Sequence, residues 1–252
     1  MPYAIARIGR LSVLMLAAAL LWLPAGAALA AEDDTAIAET LAQMLRAART
    51  VISDSQARID DPTVGDKELS GGAVLDLAIR KYQAATGVDP KSIEPQSRQG
   101  VLLAALMDSI VEVMDDNQSQ INAKGTGFKG FIPAVFGRLV GEAFAHRAKG
   151  EAEIKITAPP DLVRNRKARP DKWEAEVIAT KLLQASWPRG QPFSAMVEDG
   201  RPAFRIAVPE YYAQSCLACH GTPKGEMDKT GYPKEGGKEG DLGAVISITL
   251  YH

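Results

Sequence analysis

A chain of 252 residues with 46% hydrophobic and 24% charged content has the composition of a globular protein, which excludes disorder and low complexity as its overall state. Its 29 basic and 31 acidic residues leave a formal net charge of −2, so no cationic surplus exists to neutralise the phosphates of nucleic acid or an anionic lipid surface. The length suits one sizeable domain or two small ones.

The first thirty residues stand apart. Arg7 and Arg10 precede the apolar run LSVLMLAAALLWL, which Pro24 and Gly26 interrupt before Ala28, Leu29 and Ala30. This is the pattern of a secretory signal peptide, with cleavage expected after Ala30 and residues 31–252 remaining. The run falls short of the roughly 20 residues of a comfortable bilayer span, and no later stretch is long and apolar enough to cross. The product is expected in the periplasm with no stable membrane span, retention of the leader as an anchor being the alternative.

From Thr35 to about Gln56 the apolar positions Ile37, Leu41, Met44, Leu45, Ala48, Val51 and Ile52 recur at intervals of three and four, which predicts an amphipathic helix. The stretch DDPTVGDKELSGG has turn chemistry. A second helix is expected over AVLDLAIRKYQAA, and a third begins near Gln99 with Leu103, Leu106, Met107, Ile110 and Met114 on one face. Beyond the Gly-rich connector NAKGTGFKG, Pro133 suits the first turn of a fourth helix whose inner face reads Phe136, Leu139, Val140, Ala143 and Phe144.

After Gly150 the period changes to alternation. Ala152, Ile154 and Ile156 share one side of a strand, and PDKWEAEVIATKLLQA reads as a helix opened by Pro170. PFSAMVEDGRPAFRIAV then predicts two strands joined at Asp199-Gly200, and GAVISITLY a last strand with Ala244, Ile246, Ile248 and Leu250 on one face. Helices first and strands afterwards predict an α+β protein with an antiparallel sheet. The implied division is a signal peptide at 1–30, a helical region at 31–125 and a sheet-bearing domain at 126–252.

Chemistry concentrates in SCLACHG, which holds both cysteines of the chain, Cys216 and Cys219, with His220 directly after them. Four readings compete. A disulfide across two intervening residues closes a tiny loop and removes little unfolded-state entropy. A redox dithiol wants a strand-to-helix setting that PEYYAQS does not supply. Tetrahedral zinc needs a fourth ligand, and the other histidines are only His146 and His252. Cys-x-x-Cys-His is the attachment pattern of c-type haem, which uses all three residues: two thioethers, and His220 as the proximal iron ligand. The expected export agrees with it, because such haem is attached outside the inner membrane. One covalent haem c is therefore the preferred cofactor.

For the other face of the iron, His146 is the first candidate, since it follows Ala143 by three and Leu139 by seven. Met227 lies seven residues beyond His220, a reach of roughly 23 Å when extended, in a Gly- and Lys-rich setting that reads as mobile. His252 is terminal and expected to fray. Arg164 and Arg205 are candidate partners for haem propionates, and Tyr211, Tyr212, Trp173 and Trp187 candidate aromatic walls, with surface charge and core packing as the plainer alternatives.

Four stretches, ISDSQARIDDPTVGDKEL, GFKGFIPAVFGR, VRNRKARPDKWE and SCLACHGTPKGEMDKTGYPKEGGKEGDLGAVISITL, resemble a bacterial domain family of unknown function whose members carry c-type haem on a PAS-like sheet. The similarity covers about Ala36 to Leu250. Against the family's frequent RNPxNxPDxWE, this chain keeps Arg164, Asn165, Pro170, Asp171, Trp173 and Glu174 but has Arg166 and Ala168 where proline and the second asparagine stand. The resemblance implies that 126–252 is a PAS-like haem domain and that the role is extracytoplasmic sensing. No output domain is recognised before His252, so a separate signalling or redox partner is expected.

The leading expectation is a non-enzymatic monohaem protein that senses redox state or a small gaseous ligand. A plain electron carrier is the runner-up. A peroxide-using haem enzyme comes third, because no distal His–Arg pair can be identified in the sequence.

Overall fold

The structure is a computed structural model that describes residues 25–198 and 200–252, with side chains from Asp34 onward. Most of the expected signal peptide, and Asp199 of the expected turn, lie outside the described residues. Among the described residues, no helix is long and apolar enough to cross a membrane.

Among the described residues the fold is α+β, with eight α-helices and a four-stranded antiparallel sheet. The helices are α1 (Ala25–Asp54), α2 (Gln56–Ile59), α3 (Gly71–Thr86), α4 (Arg98–Asp116), α5 (Gln118–Ile121), α6 (Pro133–Arg147), α7 (Lys172–Val177) and α8 (Leu217–His220). The strands are β1 (Ala152–Thr157), β2 (Phe193–Val197), β3 (Ala203–Tyr211) and β4 (Leu242–Tyr251), in spatial order β1-β4-β3-β2. As expected, β2 and β3 pair antiparallel, with Val197 opposite Ala203.

All seven apolar positions predicted for the first helix are buried, which is what a single 3.6-residue stripe against a core requires. Ser70 and Ser97 start α3 and α4 by accepting hydrogen bonds from Ala73 N and Gly100 N, satisfying donors that have no partner within the helix. The inner face of the sheet carries Ile154, Phe204, Ile206, Val208, Ile246, Ile248 and Leu250, and these join α1, α3, α4 and α6 in one hydrophobic cluster. The opposite face is also covered near the start of β4, where Val245, Ala207 and Leu242 pack with Val177, Ile178 and Leu182.

Two local readings need correction. The segment after Pro170 forms only six residues of α-helix, followed by a π-helical turn over Ile178–Leu182. Its start is set by a capping box, in which Asp171 accepts from Glu174 N while the Glu174 side chain accepts from Asp171 N. The inner face of α6 is centred on Phe136, Gly137, Val140, Gly141 and Phe144, with Leu139 and Ala143 at its margins. A Cβ on Gly141 would lie 2.5 Å from the Ile154 carbonyl oxygen, so glycine here lets α6 lie close on β1.

The turn-rich stretch after α2 encloses a side chain that polarity alone would place in water. Lys67 is fully buried, and its ammonium donates to the carbonyls of Asp61 and Val64 at 2.6 and 2.5 Å. Burial, with Lys129 nearby, lowers its pKa from the ordinary lysine value.

Candidate functional site around His220

The chain leaves β3 at Tyr211 and returns to the sheet at Leu242, so residues 212–241 form an excursion from one end of the β3–β4 pair. Its base is closed by two backbone bonds: Tyr212 N donates to Asp241 O at 2.9 Å, and Gly240 N to Tyr212 O at 2.8 Å. Within it, Gln214–Cys216 make a 3₁₀ turn that runs into α8, so Cys216, Cys219 and His220 occupy one compact helical stretch. Gly237 N then donates to His220 O at 2.7 Å and Gly236 N to Gly221 O at 3.0 Å, bringing the later half of the loop back onto the motif. A Cβ on Gly221 would sit 2.5 Å from the Leu217 carbonyl oxygen, which explains the glycine after the histidine.

Both thiols are free and half-buried. Burial, together with the nearby Asp228 carboxylate, pushes the Cys219 pKa up, so this sulfur stays a neutral thiol at pH 7. His220 contacts Glu235 through Nδ1, at 2.9 Å from Oε2. An ionised carboxylate can only accept, so a neutral imidazole here carries its proton on Nδ1 and its lone pair on Nε2. Tyr212 stacks on the same ring, with centroids 5.0 Å apart and planes 17° from parallel. Burial, then the Glu235 charge, push the Tyr212 phenol up to about 12, so it remains neutral; its hydroxyl oxygen is buried with no hydrogen-bond partner among the described residues.

Arg164 organises what surrounds this ring. Its Nε and Nη2 reach Glu235 Oε1 and Oε2 at 2.7 and 3.0 Å, Nη1 reaches Asp228 Oδ2 at 2.6 Å, and Nη2 also donates to the Cys219 carbonyl at 2.9 Å. Asp228 further accepts from Thr230 N and Oγ1, at 2.7 and 2.6 Å. Burial alone would raise both carboxyls, but their hydrogen bonds outweigh it and hold Asp228 and Glu235 below the ordinary carboxylate range. Arg164 is correspondingly held above its ordinary value. The arginine considered for propionates is thus engaged with this chain's own carboxylates.

The excursion also touches the helices. Ser53 Oγ lies 3.3 Å from Ser215 Oγ, and Lys229 Nζ lies 2.8 Å from Asp60 Oδ2, at the end of α2. Just before the motif, Glu210 on β3 pairs with Arg46 at 3.1 Å and with Arg49, both on α1.

Cys216, Cys219 and His220 are brought together, while His146 and His252, considered for the opposite iron face, lie near the other end of the sheet. His146 is exposed rather than on the inner face of α6, because it continues the marginal Leu139–Ala143 row. It stands four residues before Gly150, next to the strand end where Ala152 pairs with Leu250. His220 follows the other end of β3, about 26 Å of strand away. The Met227 side chain is exposed, and its setting is ordered by a bridge to Pro233. His252 does not fray: its N donates to Pro202 O at 3.0 Å, and Nε2 meets buried Asp34 at 2.8 Å. Arg205, Trp173, Trp187 and Tyr211 pack around α7 and β2 instead, with Arg205 4.5 Å above the Trp173 ring and Trp187 6.0 Å from Phe193. Sequence reasoning missed Glu235 and Asp228 altogether. Glu235 lies fifteen positions beyond His220 in the loop, and no periodic spacing marks the pair.

Among the described residues, no cluster of three or more His, Cys, Asp or Glu is arranged to hold a bare metal ion. What stands together is one imidazole with Nδ1 turned to Glu235 and two free thiols in one short helical stretch, the residue types that thioether attachment and iron ligation need.

Sheet, helices and loop define an α+β protein whose histidine-bearing turn is tied back to a small antiparallel sheet. The chain belongs to the Tll0287-like family, which it matches over residues 27–250. No curated protein and no solved structure matches it.

Proposed function

We propose that this is an exported, periplasmic protein carrying one covalent c-type haem on a PAS-like sheet, and that it works as a redox or gas-sensing domain for a separate partner. The observation that carries the proposal is the state of His220: it follows two free thiols at Cys-x-x-Cys-His spacing and turns its Nδ1 to Glu235. Cys216 and Cys219 would each add S–H across a haem vinyl group, the sulfur forming the thioether bond and the hydrogen passing to the other vinyl carbon, with no net change of redox state. His220 would bind iron through Nε2. When bound, iron porphyrin would supply a one-electron couple and a site for a diatomic gas.

The sensing half of the reading rests on connectivity. His220 contacts Glu235, Glu235 contacts Arg164, and the same loop reaches α1 through Ser215 and α2 through Lys229. A displacement of the histidine therefore has a path of polar contacts to the helices, where it can bias one arrangement over another. Partial exposure of His220 and both cysteines favours a second reading, a periplasmic electron carrier with an accessible haem edge. No residue is assigned a catalytic role.

Expression of the full chain for export, alongside haem-attachment machinery, tests the proposal. The expected product is coloured, has a mass raised by one haem, and shows a c-type spectrum in oxidised and reduced forms. A colourless exported protein whose mass is that of its amino acids alone would falsify the haem reading. Carbon monoxide separates the two roles: prompt binding supports sensing, and an unchanged six-coordinate spectrum supports electron transfer.

A further inference from the structure

Resting on the haem reading, we infer that Glu235, clamped by Arg164, is the positioning residue of His220: it takes the Nδ1 hydrogen, aims Nε2, and makes the imidazole a stronger electron donor that favours oxidised iron. The geometry is over-determined. Both oxygens of the carboxylate are engaged by one guanidinium, at 2.7 and 3.0 Å, and the oxygen that meets Nδ1 is the one facing Nη2. A bidentate pair of this kind fixes a carboxylate in orientation as well as position. The same guanidinium holds the Cys219 carbonyl, so acceptor and motif share one anchor. Tyr212, stacked on the imidazole, restrains ring rotation from a second direction.

The electronic consequence follows from the identity of the acceptor. A hydrogen bond from Nδ1–H to an ionised carboxylate is about twice as strong as one to a neutral carbonyl. It draws the proton outward, leaves more negative charge on the ring, and raises the basicity of the metal-binding nitrogen. Extra donation stabilises the more highly charged ferric iron relative to ferrous, which lowers the reduction potential.

Reduction potentials of the haem-loaded wild type and Glu235→Gln test this. The amide keeps the size and removes the charge. The variant is expected to shift the reduction equilibrium toward ferrous iron by about tenfold or more, each tenfold being ~59 mV for one electron. A haem-loaded variant whose equilibrium moves less than about threefold overturns the inference while leaving the haem reading intact. A wild type that carries no haem overturns the reading beneath it instead. If the variant does not mature, the wild-type protein decides through its reduced, diamagnetic carbon-monoxide or six-coordinate form. There the His220 Nδ1 proton should resonate far downfield and exchange slowly, and a rapidly exchanging proton at an ordinary imidazole shift overturns the inference.

Discussion

The inner face of the sheet and the 212–241 excursion are built by opposite means. Beneath the sheet, side chains such as Leu45, Leu106, Phe136, Phe144 and Ile248 are buried with essentially no exposure and pack by shape and volume. In the excursion, few apolar side chains are buried, and the path of the chain is set by Arg164, Asp228, Glu235, closely fitted glycines and the Tyr212–His220 stack. Burial of apolar surface holds the first region, whereas directional hydrogen bonds between charges hold the second. The two regions should therefore fail under different insults.

The largest effect is expected from Phe136→Ala, which empties a fully buried aromatic site and should cost about 3–5 kcal/mol in urea unfolding. Hydrogen exchange should quicken across the helices and sheet together. A loss confined to 212–241 would break the contrast.

Acidification comes next and should act on the loop, since it neutralises both carboxylate partners of Arg164 at once. Asp228 and Glu235 have folded pKa values lowered from ordinary values of 3.8 and 4.5. Their contribution is thus fully present above those ordinary values and is lost as pH falls through the lower folded ones. Amide exchange, corrected for intrinsic rates, should show 212–241 opening below about pH 4 before α4 and α6 do. Simultaneous opening would merge the regions into one cooperative unit.

The smallest effect sharpens the comparison. A Cβ on Gly243 would lie 2.3 Å from Tyr212 Cε1, so Gly243→Ala should push the tyrosine off the His220 ring at about 1–3 kcal/mol. The His220 ring-proton shifts report the loss of stacking. Gly72→Ala, with nothing within 4 Å of the added carbon, is the matched control and should leave those shifts unchanged.

Legibility in the sequence divides along the same line. The stripe Ile37–Leu41–Met44–Leu45–Ala48 and the alternation Ile246–Ile248–Leu250 could be read directly, because burial on one face imposes a period on neighbouring residues. The Cys-x-x-Cys-His run was equally visible, its members lying within one turn of chain. The same periodic logic misplaced His146, because a residue at the margin of a stripe shares its spacing without sharing its burial. Lys67 was hidden for a related reason: turn composition predicts exposure, yet two loop carbonyls enclose its ammonium.

By itself, the sequence determined that helices precede strands, that the sheet has an apolar face, and that two thiols and an imidazole share one short turn. Only the tertiary structure decided which carboxylate meets that imidazole, that Arg164 on a different loop holds it there, and that Tyr212 rather than Tyr211 covers the ring. Local period and spacing are written in adjacent residues. Polar contacts between residues 15 and 71 positions apart leave no such trace and exist only once the chain has closed on itself.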